Sequence, residues 1–382
     1  MTADAPAADH AARTPAGKRV TWAELFFDLV FVFAVTQLSA SLHADHSLAG
    51  LGRALVLFVP IYWVWVSTSV HTNTRDVDNA FDRFGILAAG LGSLLMTLAI
   101  PGAYGERAML FAVSYLAVRT LLLVLVARTR GWFANPFSVA VFVAAPLRLA
   151  GAALGGGRQV ALWTAAAVVD VAAPALTRRR VGRVVRFHPA HLSERFGLLL
   201  IIALGESVVA LGAPAAAHGA LDTGVGVAVA VAFVLVGGLW WMYFEFAADA
   251  VHHAVETSRV PADTVRQVLT YAHFGLIGGI VCVAYGVGEA VHWPGRHLGG
   301  TPAVLLFGGC ALFVATLAYT GWRISRSVPR IRLAGAVLMP ALLPVARLVP
   351  ALGALCLLVV VVVAVDVWEY VSAIGTRRGA QE

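Results

Sequence analysis

Charged residues are scarce in this chain of 382 residues, and lysine is nearly absent. Only 13% of the residues are charged, whereas a soluble globular protein has about a quarter. Lys18 is the only lysine in the sequence. By contrast, 59% of the residues are hydrophobic, and the mean hydropathy is +0.81. This composition excludes a soluble enzyme and predicts a protein whose surface lies largely in lipid.

Cysteine is also rare, and its placement excludes two further classes of protein. Cys282, Cys310 and Cys356 lie in apolar stretches without the spacing of a metal site or a disulfide framework. They are predicted to be small buried hydrophobic residues. The sequence also lacks a phosphate-binding loop, a nucleophile elbow and a dinucleotide fingerprint. We therefore predict no catalytic residue, no metal site and no cofactor.

Apolar residues occur in continuous blocks of about 18–25 residues, the length that a helix needs to cross the hydrocarbon core of a bilayer. The blocks do not alternate with polar residues, which excludes a membrane β-barrel. We predict an all-α polytopic membrane protein with about 12 transmembrane helices. The fifth, sixth and eleventh of these helices are interrupted by Pro146, Pro174, Pro340 and Pro344, so ten or eleven crossings also fit the sequence. The predicted spans are 22–42, 48–70, 84–100, 107–127, 136–153, 159–177, 192–213, 223–246, 265–290, 301–322, 331–347 and 350–372.

The net charge of +7 comes almost wholly from arginine. With twelve spans, 21 basic residues fall on one side of the membrane and 6 on the other, and Arg119 remains within it. Because cytoplasmic loops are enriched in basic residues, both termini are predicted to be cytoplasmic. The lipid bilayer is then the predicted partner, nucleic acid is not expected, and a homo-oligomer is compatible with the sequence.

An arginine-rich loop near the middle of the chain predicts that the protein consists of two similar halves. Glu24-Leu-Phe corresponds to Glu194-Arg-Phe, and aromatic and glycine motifs correspond at offsets that grow from 170 to 190 residues. Six spans in each half would give a 6+6 parallel internal repeat. The predicted units are a disordered cytoplasmic tail at 1–20, a first transmembrane half at 21–177, a basic connector at 178–191, a second half at 192–374 and a tail at 375–382.

Several polar residues lie inside the predicted spans, where a charge that faces lipid costs about 3 kcal/mol or more. Such residues must find partners on other helices, and Asp170 is the candidate partner for Arg119. A lone histidine such as His273 is more often a hydrogen-bonded interhelical group than a proton switch. The predicted ion- or substrate-binding residues are Glu24, Asp28, Gln37, Glu206, Ser207, Trp241, Tyr243, Glu245 and His273. The predicted gating or inner-face network is Asn73, Asp76, Asp78, Arg83, Glu194 and Arg195.

These motifs resemble the bacterial low-temperature-requirement A (LtrA) family over about residues 20–375. The family more often places an arginine directly after the asparagine, whereas here Thr74 separates Asn73 from Arg75. The resemblance implies a multi-pass membrane protein associated with growth in the cold, without an established activity. The motifs that carry it are Glu24-Leu-Phe-Phe-Asp28, Asn73 with Asp76, Asp78 and Arg83, Glu194-Arg-Phe-Gly, Gly205-Glu206-Ser207, Trp241-x-Tyr243-Phe-Glu245, and His273 before Gly275.

Three functions fit the sequence. Embedded carboxylates in equivalent spans of a parallel repeat favour a secondary transporter, or proton- or cation-coupled carrier, of an unknown small solute. Phe27-Asp28 resembles the Phe-Ser-Asp helix of a family of non-voltage-gated potassium channels, which favours a cation channel as an alternative. A membrane enzyme or lipid-handling protein for cold adaptation is a third hypothesis. Its candidate residues are Asp76, Asp78, His252 and His253.

Overall fold

The computed structural model is a bundle of long helices and describes residues 18–75, 79–130, 135–178, 187–217 and 222–379. Eleven helices in these ranges are long and apolar enough to cross a membrane. Large apolar side chains are exposed on their outer faces, as contact with lipid requires. The predicted all-α polytopic fold is confirmed. The helices are α1 Trp22–Ala44, α2 Leu48–Asn73, α3 Ala80–Gly102, α4 Ala108–Arg130, α5 Pro136–Leu154, α6 Gly156–Leu176, α7 Pro189–Ala217, α8 Thr223–Phe244, α9 Ala248–Glu256, α10 Pro261–His292, α11 Gly300–Ser325, α12 Arg330–Ala341, α13 Leu343–Ala346 and α14 Ala351–Gly379.

The start of α1 is fixed by a capping box. The Thr21 hydroxyl accepts a hydrogen bond from the backbone N–H of Glu24, and the Glu24 carboxylate accepts one from the backbone N–H of Thr21. Nearby, Lys18 donates hydrogen bonds to the carbonyls of Thr72 and Arg75 at the end of α2. The beginning of α1 and the end of α2 therefore lie at the same end of the bundle, which we call the N-terminal face.

The predicted span 331–347 is wrong as a single helix. Pro340 and Pro344 divide it into α12 and α13, because proline lacks the N–H that the helical ladder needs. The chain nevertheless returns across the bundle through this segment. The backbone N–H of Ala351 bonds to the carbonyl of Arg296 at 2.8 Å, so α14 begins beside the start of α11. The predicted crossing before α14 is therefore present, but as two short helices rather than one.

The helices of the two predicted halves pack in the same order. In the first half α1 lies against α3 and α2 against α6; in the second half α7 lies against α10 and α8 against α14. A further correspondence is the triplet Val-Asp-Val, which centres on Asp170 in α6 and on Asp366 in α14. The 6+6 duplication stays a prediction, and this shared packing order supports it.

Two helices contain a π turn, in which an extra residue widens the helix locally. The first comprises Ala140–Ala144 in α5, and the second comprises Val265–Tyr271 near the start of α10. A π turn leaves backbone carbonyls available to other donors. The second one is used in this way by His273, as described below.

Glycine contact between α10 and α11 gives the first testable prediction. A Cβ on Gly309 would lie 2.7 Å from the carbonyl oxygen of Gly279 and 2.9 Å from Cβ of Cys282. Gly309→Ala is therefore expected to reduce the free energy of unfolding by about 1–3 kcal/mol, since the two helices must separate. Thermal unfolding of the purified protein, followed by circular dichroism, measures this effect.

The neighbouring Gly308 supplies the matched control. A Cβ built on Gly308 has no heavy atom within 4 Å. Because alanine favours a helix over glycine by about 1 kcal/mol, Gly308→Ala is expected to leave the unfolding midpoint unchanged or to raise it. A midpoint for Gly309→Ala equal to that of Gly308→Ala would contradict the proposed close contact.

Candidate functional site

The carboxylate of Asp28 lies in a buried ion pair with Arg195. The two guanidinium nitrogens of Arg195 lie 2.9 Å from the two oxygens of Asp28, and the indole N–H of Trp65 donates to Oδ1 at 2.8 Å. Arg195 also donates to the Ser69 hydroxyl at 3.1 Å. Asp28 is 2% exposed and Arg195 is 0% exposed. This two-pronged geometry satisfies both charges away from solvent.

Glu24, one helical turn before Asp28, contacts His191 on α7. The His191 Nε2 atom lies 3.3 Å from Oε2 of Glu24, and Nδ1 lies 3.1 Å from Nδ2 of Asn73. The amide of Asn73 is oriented by the backbone of His188: its Oδ1 accepts from the N–H at 3.0 Å, and its Nδ2 donates to the carbonyl at 2.8 Å. Because Nδ2 can only donate, Nδ1 of His191 must accept.

The proton of His191 therefore resides on Nε2, which donates to Glu24. A doubly protonated His191 would direct an N–H at the NH₂ group of Asn73. The Asn73 amide cannot rotate to relieve this without losing both bonds to His188. The contact between His191 and Glu24 is thus a hydrogen bond from a neutral histidine, and Arg195 is the guanidinium that compensates this cluster.

Glu206 lies farther along the same pair of helices. Its Oε2 accepts a hydrogen bond from the Thr36 hydroxyl of α1 at 2.6 Å, and Glu206 itself is 6% exposed. Thr36 follows Asp28 by eight residues, which corresponds to about 12 Å along a helix. The two acids therefore belong to separate polar clusters on one helix interface.

Aromatic rings fill the space beside the Asp28 cluster. The ring of Trp65 packs on Phe31 of α1 at 6.3 Å and on Phe196 of α7 at 5.0 Å between centroids. Phe31 and Phe196 lie between the acidic clusters in sequence on their respective helices. This packing separates the clusters with apolar groups.

Three polar links join α1 to α7, and two of them, at Asp28 and Thr36, join the predicted first half of the chain to the predicted second half. Glu24 bonds to His191, Asp28 to Arg195, and Thr36 to Glu206. The residue numbers increase together on both helices, so α1 and α7 run parallel, as the parallel repeat predicts. The interface between these helices is the candidate functional site.

His273 is held by a different set of bonds. Its Nδ1 lies 2.9 Å from the carbonyl oxygen of Leu269, in the π turn of α10, and its Nε2 lies 2.7 Å from the hydroxyl of Tyr243. A carbonyl oxygen only accepts, so Nδ1 carries a proton, while the Tyr243 hydroxyl can either donate to Nε2 or accept from it. Both side chains are buried, so His273 is a bonded interhelical group in this arrangement.

Other predicted site residues are dispersed. Gln37 lines a separate cavity of about 370 Å³ with Asp45 and Arg53. Ser207 is buried and its hydroxyl is without a hydrogen-bond partner in the described part of the chain. Trp241 is 42% exposed and borders an apolar groove between α7 and α8. Three further members, Arg83, Glu194 and Glu245, are exposed, and Asp76 and Asp78 lie outside the described residues.

Sequence reasoning missed a second buried cluster, in which two arginines share one aspartate. Arg119 lies 3.2 Å from Oδ1 of Asp170, and Arg148 lies 2.9 Å from Oδ2. The Tyr115 hydroxyl donates to Oδ1 at 2.7 Å. The pairing of Arg119 with Asp170 is as predicted, whereas Arg148, which falls among the six basic residues predicted on the second side of the membrane, has a buried side chain that is 1% exposed.

His191 and Trp65 were missed for different reasons. His191 directly precedes the motif at Glu194, but it falls in the predicted connector 178–191, whose other residues suggested a solvated loop. Trp65 belongs to the aromatic motif Tyr62-Trp63-Val64-Trp65 of α2, and only the rotation of this helix about its axis directs the indole N–H at Asp28. Among the described residues, no group of three or more His, Cys, Asp or Glu side chains could hold a metal ion.

Comparison with known proteins identifies the family. A profile described as "Bacterial low temperature requirement A protein (LtrA)" matches residues 19–367. The chain is also 29% identical over 379 residues to the uncharacterized protein RA0937 of Rhizobium meliloti (strain 1021), covering 95% of this chain and 91% of the relative. No solved structure matches the chain. The profile covers most of the chain, including the Asp28 cluster and Glu206, so this multi-pass bacterial membrane protein belongs to the LtrA family.

Proposed function

We propose that the protein is a secondary carrier that couples movement of a small solute to protons across the bacterial inner membrane. The supporting observation is that two buried carboxylates, Asp28 of α1 and Glu206 of α7, bond across the two predicted halves. A carrier with parallel repeats moves its substrate by rocking one half against the other. These bonds are the ones that such a motion has to break and form again.

Protonation offers a direct way to loosen the interface. Neutralising Asp28 removes the charge that holds Arg195, and neutralising Glu206 changes an acceptor of the Thr36 hydroxyl into a potential donor. His191 is held as a neutral tautomer, and both ring nitrogens of His273 are engaged in hydrogen bonds, so the proposal assigns the proton to the carboxylates. Glu206 is the proposed proton site, and the Asp28–Arg195 pair is the proposed gate at the N-terminal face.

The aromatic packing favours a carrier over the channel alternative. Trp65 packs on both Phe31 and Phe196 beside the gate, and an open channel would need a continuous polar path there. A carrier needs such a barrier in each of its conformations. Cytoplasmic termini, as predicted from the arginine distribution, would place the Asp28–Arg195 gate on the cytoplasmic side.

The test uses purified protein in proteoliposomes on a solid-supported membrane, challenged with a panel of small solutes and imposed pH gradients. Wild type is expected to give slow, saturable currents that depend on the pH gradient. Glu206→Gln is expected to abolish the proton dependence, whereas Glu106→Gln, at an exposed glutamate between α3 and α4, serves as the matched control and is expected to retain it. Both variants should show the helix content of wild type.

Three results would contradict the proposal. Folded wild-type protein that moves neither solute nor protons under any gradient would exclude a carrier. Unitary currents in a planar bilayer would instead favour the channel. A Glu206→Gln variant with the proton dependence of wild type would exclude Glu206 as the proton site.

A further inference from the structure

A cavity of about 100 Å³ lies between α2, α4, α5, α6 and α10, away from the α1–α7 interface. Its charged lining consists of Arg119, Arg178, Arg266 and Asp170. Arg266 is paired with Asp263 at 2.8 Å, and Arg148 stands behind Asp170. The four arginines therefore face two aspartates, so the surroundings of the cavity carry an excess of positive charge.

Unused hydrogen-bond donors surround the same cavity. The indole N–H of Trp63, the Nε atom of Arg119 and the Nε atom of Arg266 are buried without a hydrogen-bond partner among the described residues. A buried donor that remains unsatisfied costs about 1–3 kcal/mol. Trp63 is 3% exposed, so its donor is remote from bulk water. Positive charge together with spare N–H groups is the environment that an anion requires.

The arginines differ in burial along the cavity. Arg178 is exposed, Arg266 is 13% exposed, and Arg119 is 2% exposed. They thus form a graded series from the exterior to the buried cluster. Such a series attracts an anion at the entrance and holds it where water is excluded.

We propose that this cavity binds a monovalent short-chain carboxylate. The guanidinium and indole N–H groups would bind the two oxygens, since planar donors match a carboxylate. The apolar part of the lining, which includes Val66, Val70 and Phe137, would contact a short alkyl group. The volume is about that of three liquid water molecules, so only a few non-hydrogen atoms fit. Binding of a carboxylate in this cavity requires no transport activity, so its test is independent of the test of the proposed carrier function.

The test measures binding to the purified full-length protein in lipid nanodiscs. Isothermal titration with sodium acetate, propionate and butyrate at constant ionic strength is compared with sodium gluconate, which is too large, and with inorganic phosphate. We expect saturable binding of the short carboxylates and none of gluconate. Trp63→Phe, which removes one donor and keeps the ring shape, is expected to weaken binding about tenfold.

Further variants separate a local role from a general loss of fold. Arg266→Gln is expected to weaken binding as well, whereas Arg296→Gln removes a comparable charge near Trp293, away from the cavity, and should not. Trp322→Phe, an exposed tryptophan, controls for the indole change. The proposal is overturned if wild type shows no saturable binding, if Trp63→Phe and Arg266→Gln both bind with the affinity of wild type, or if wild type prefers phosphate.

Discussion

Asp28→Asn is expected to lower the free energy of unfolding by about 3–5 kcal/mol, because it removes the carboxylate that pairs directly with the buried guanidinium of Arg195. The asparagine side chain can accept hydrogen bonds from Arg195 and Trp65 but cannot neutralise the arginine. Unfolding of the micelle-embedded protein by increasing denaturant, followed by circular dichroism, measures the loss. Glu194→Gln is the matched control, since Glu194 directly precedes Arg195 and is exposed.

A double variant distinguishes the ion pair from a general sensitivity of this region. Asp28→Asn and Arg195→Gln together are expected to cost less than the sum of the single losses, because the second change removes the charge that the first one stranded. Additive losses, or an Asp28→Asn variant as stable as Glu194→Gln, would contradict the pairing. Surface changes such as Glu194→Gln are expected to stay within about 0.5 kcal/mol.

Asp170→Asn is expected to have the largest effect in the chain, because the single carboxylate compensates two buried arginines. Arg119 and Arg148 are 2% and 1% exposed, and Arg119 donates in addition to the Ser67 hydroxyl at 2.5 Å. Leaving two buried arginines unpaired should cost more than the about 3–5 kcal/mol that is typical of one unpaired buried charge. A loss of this size is comparable to the whole free energy of unfolding of many domains. The variant is expected to be lost from the membrane fraction, as quantified by immunoblot and by size-exclusion chromatography.

Asp366 provides the control for this prediction, because it occupies the same Val-Asp-Val triplet in the second half. Its Oδ1 is buried without a hydrogen-bond partner among the described residues, while Arg332 is taken by Glu369 at 2.5 and 2.9 Å. Asp366→Asn removes a poorly solvated charge and is expected to leave the thermal midpoint unchanged or raise it. Equal accumulation of Asp170→Asn and Asp366→Asn in the membrane would contradict the role of Asp170 as the shared counter-charge of Arg119 and Arg148. Adding Arg148→Met to Asp170→Asn removes one of the two unpaired charges and should restore part of the protein to the membrane fraction.

The helices could be predicted because the length of an apolar block is a local property. Eleven of the twelve predicted spans are present as long helices. The exception was signalled by Pro340 and Pro344, since two prolines within a short stretch interrupt the backbone ladder. The family resemblance rested on equally local motifs around Asp28 and Glu206, and it is confirmed.

The partners of the buried charges were harder to predict, because they depend on how each helix is rotated about its axis. Arg148 is an example, because the sequence around an arginine in an apolar block is the same whether its side chain extends to the membrane surface or points into the bundle. The neutral state of His191 depends on Asn73, which is 118 residues away in the sequence. Asp28 could be predicted to need a partner, but the indole of Trp65 could be identified only from the fold.

The π turn of Val265–Tyr271 has a consequence for how this family is aligned and engineered. A relative with a regular α-helix here would lack one residue, and the segment before the gap would be rotated by about 100° relative to the segment after it. Arg266 and His273 could then not both keep their present directions. A one-residue gap in this stretch of an alignment is therefore a marker for relatives that lack either the basic cavity or the Tyr243–His273 bond.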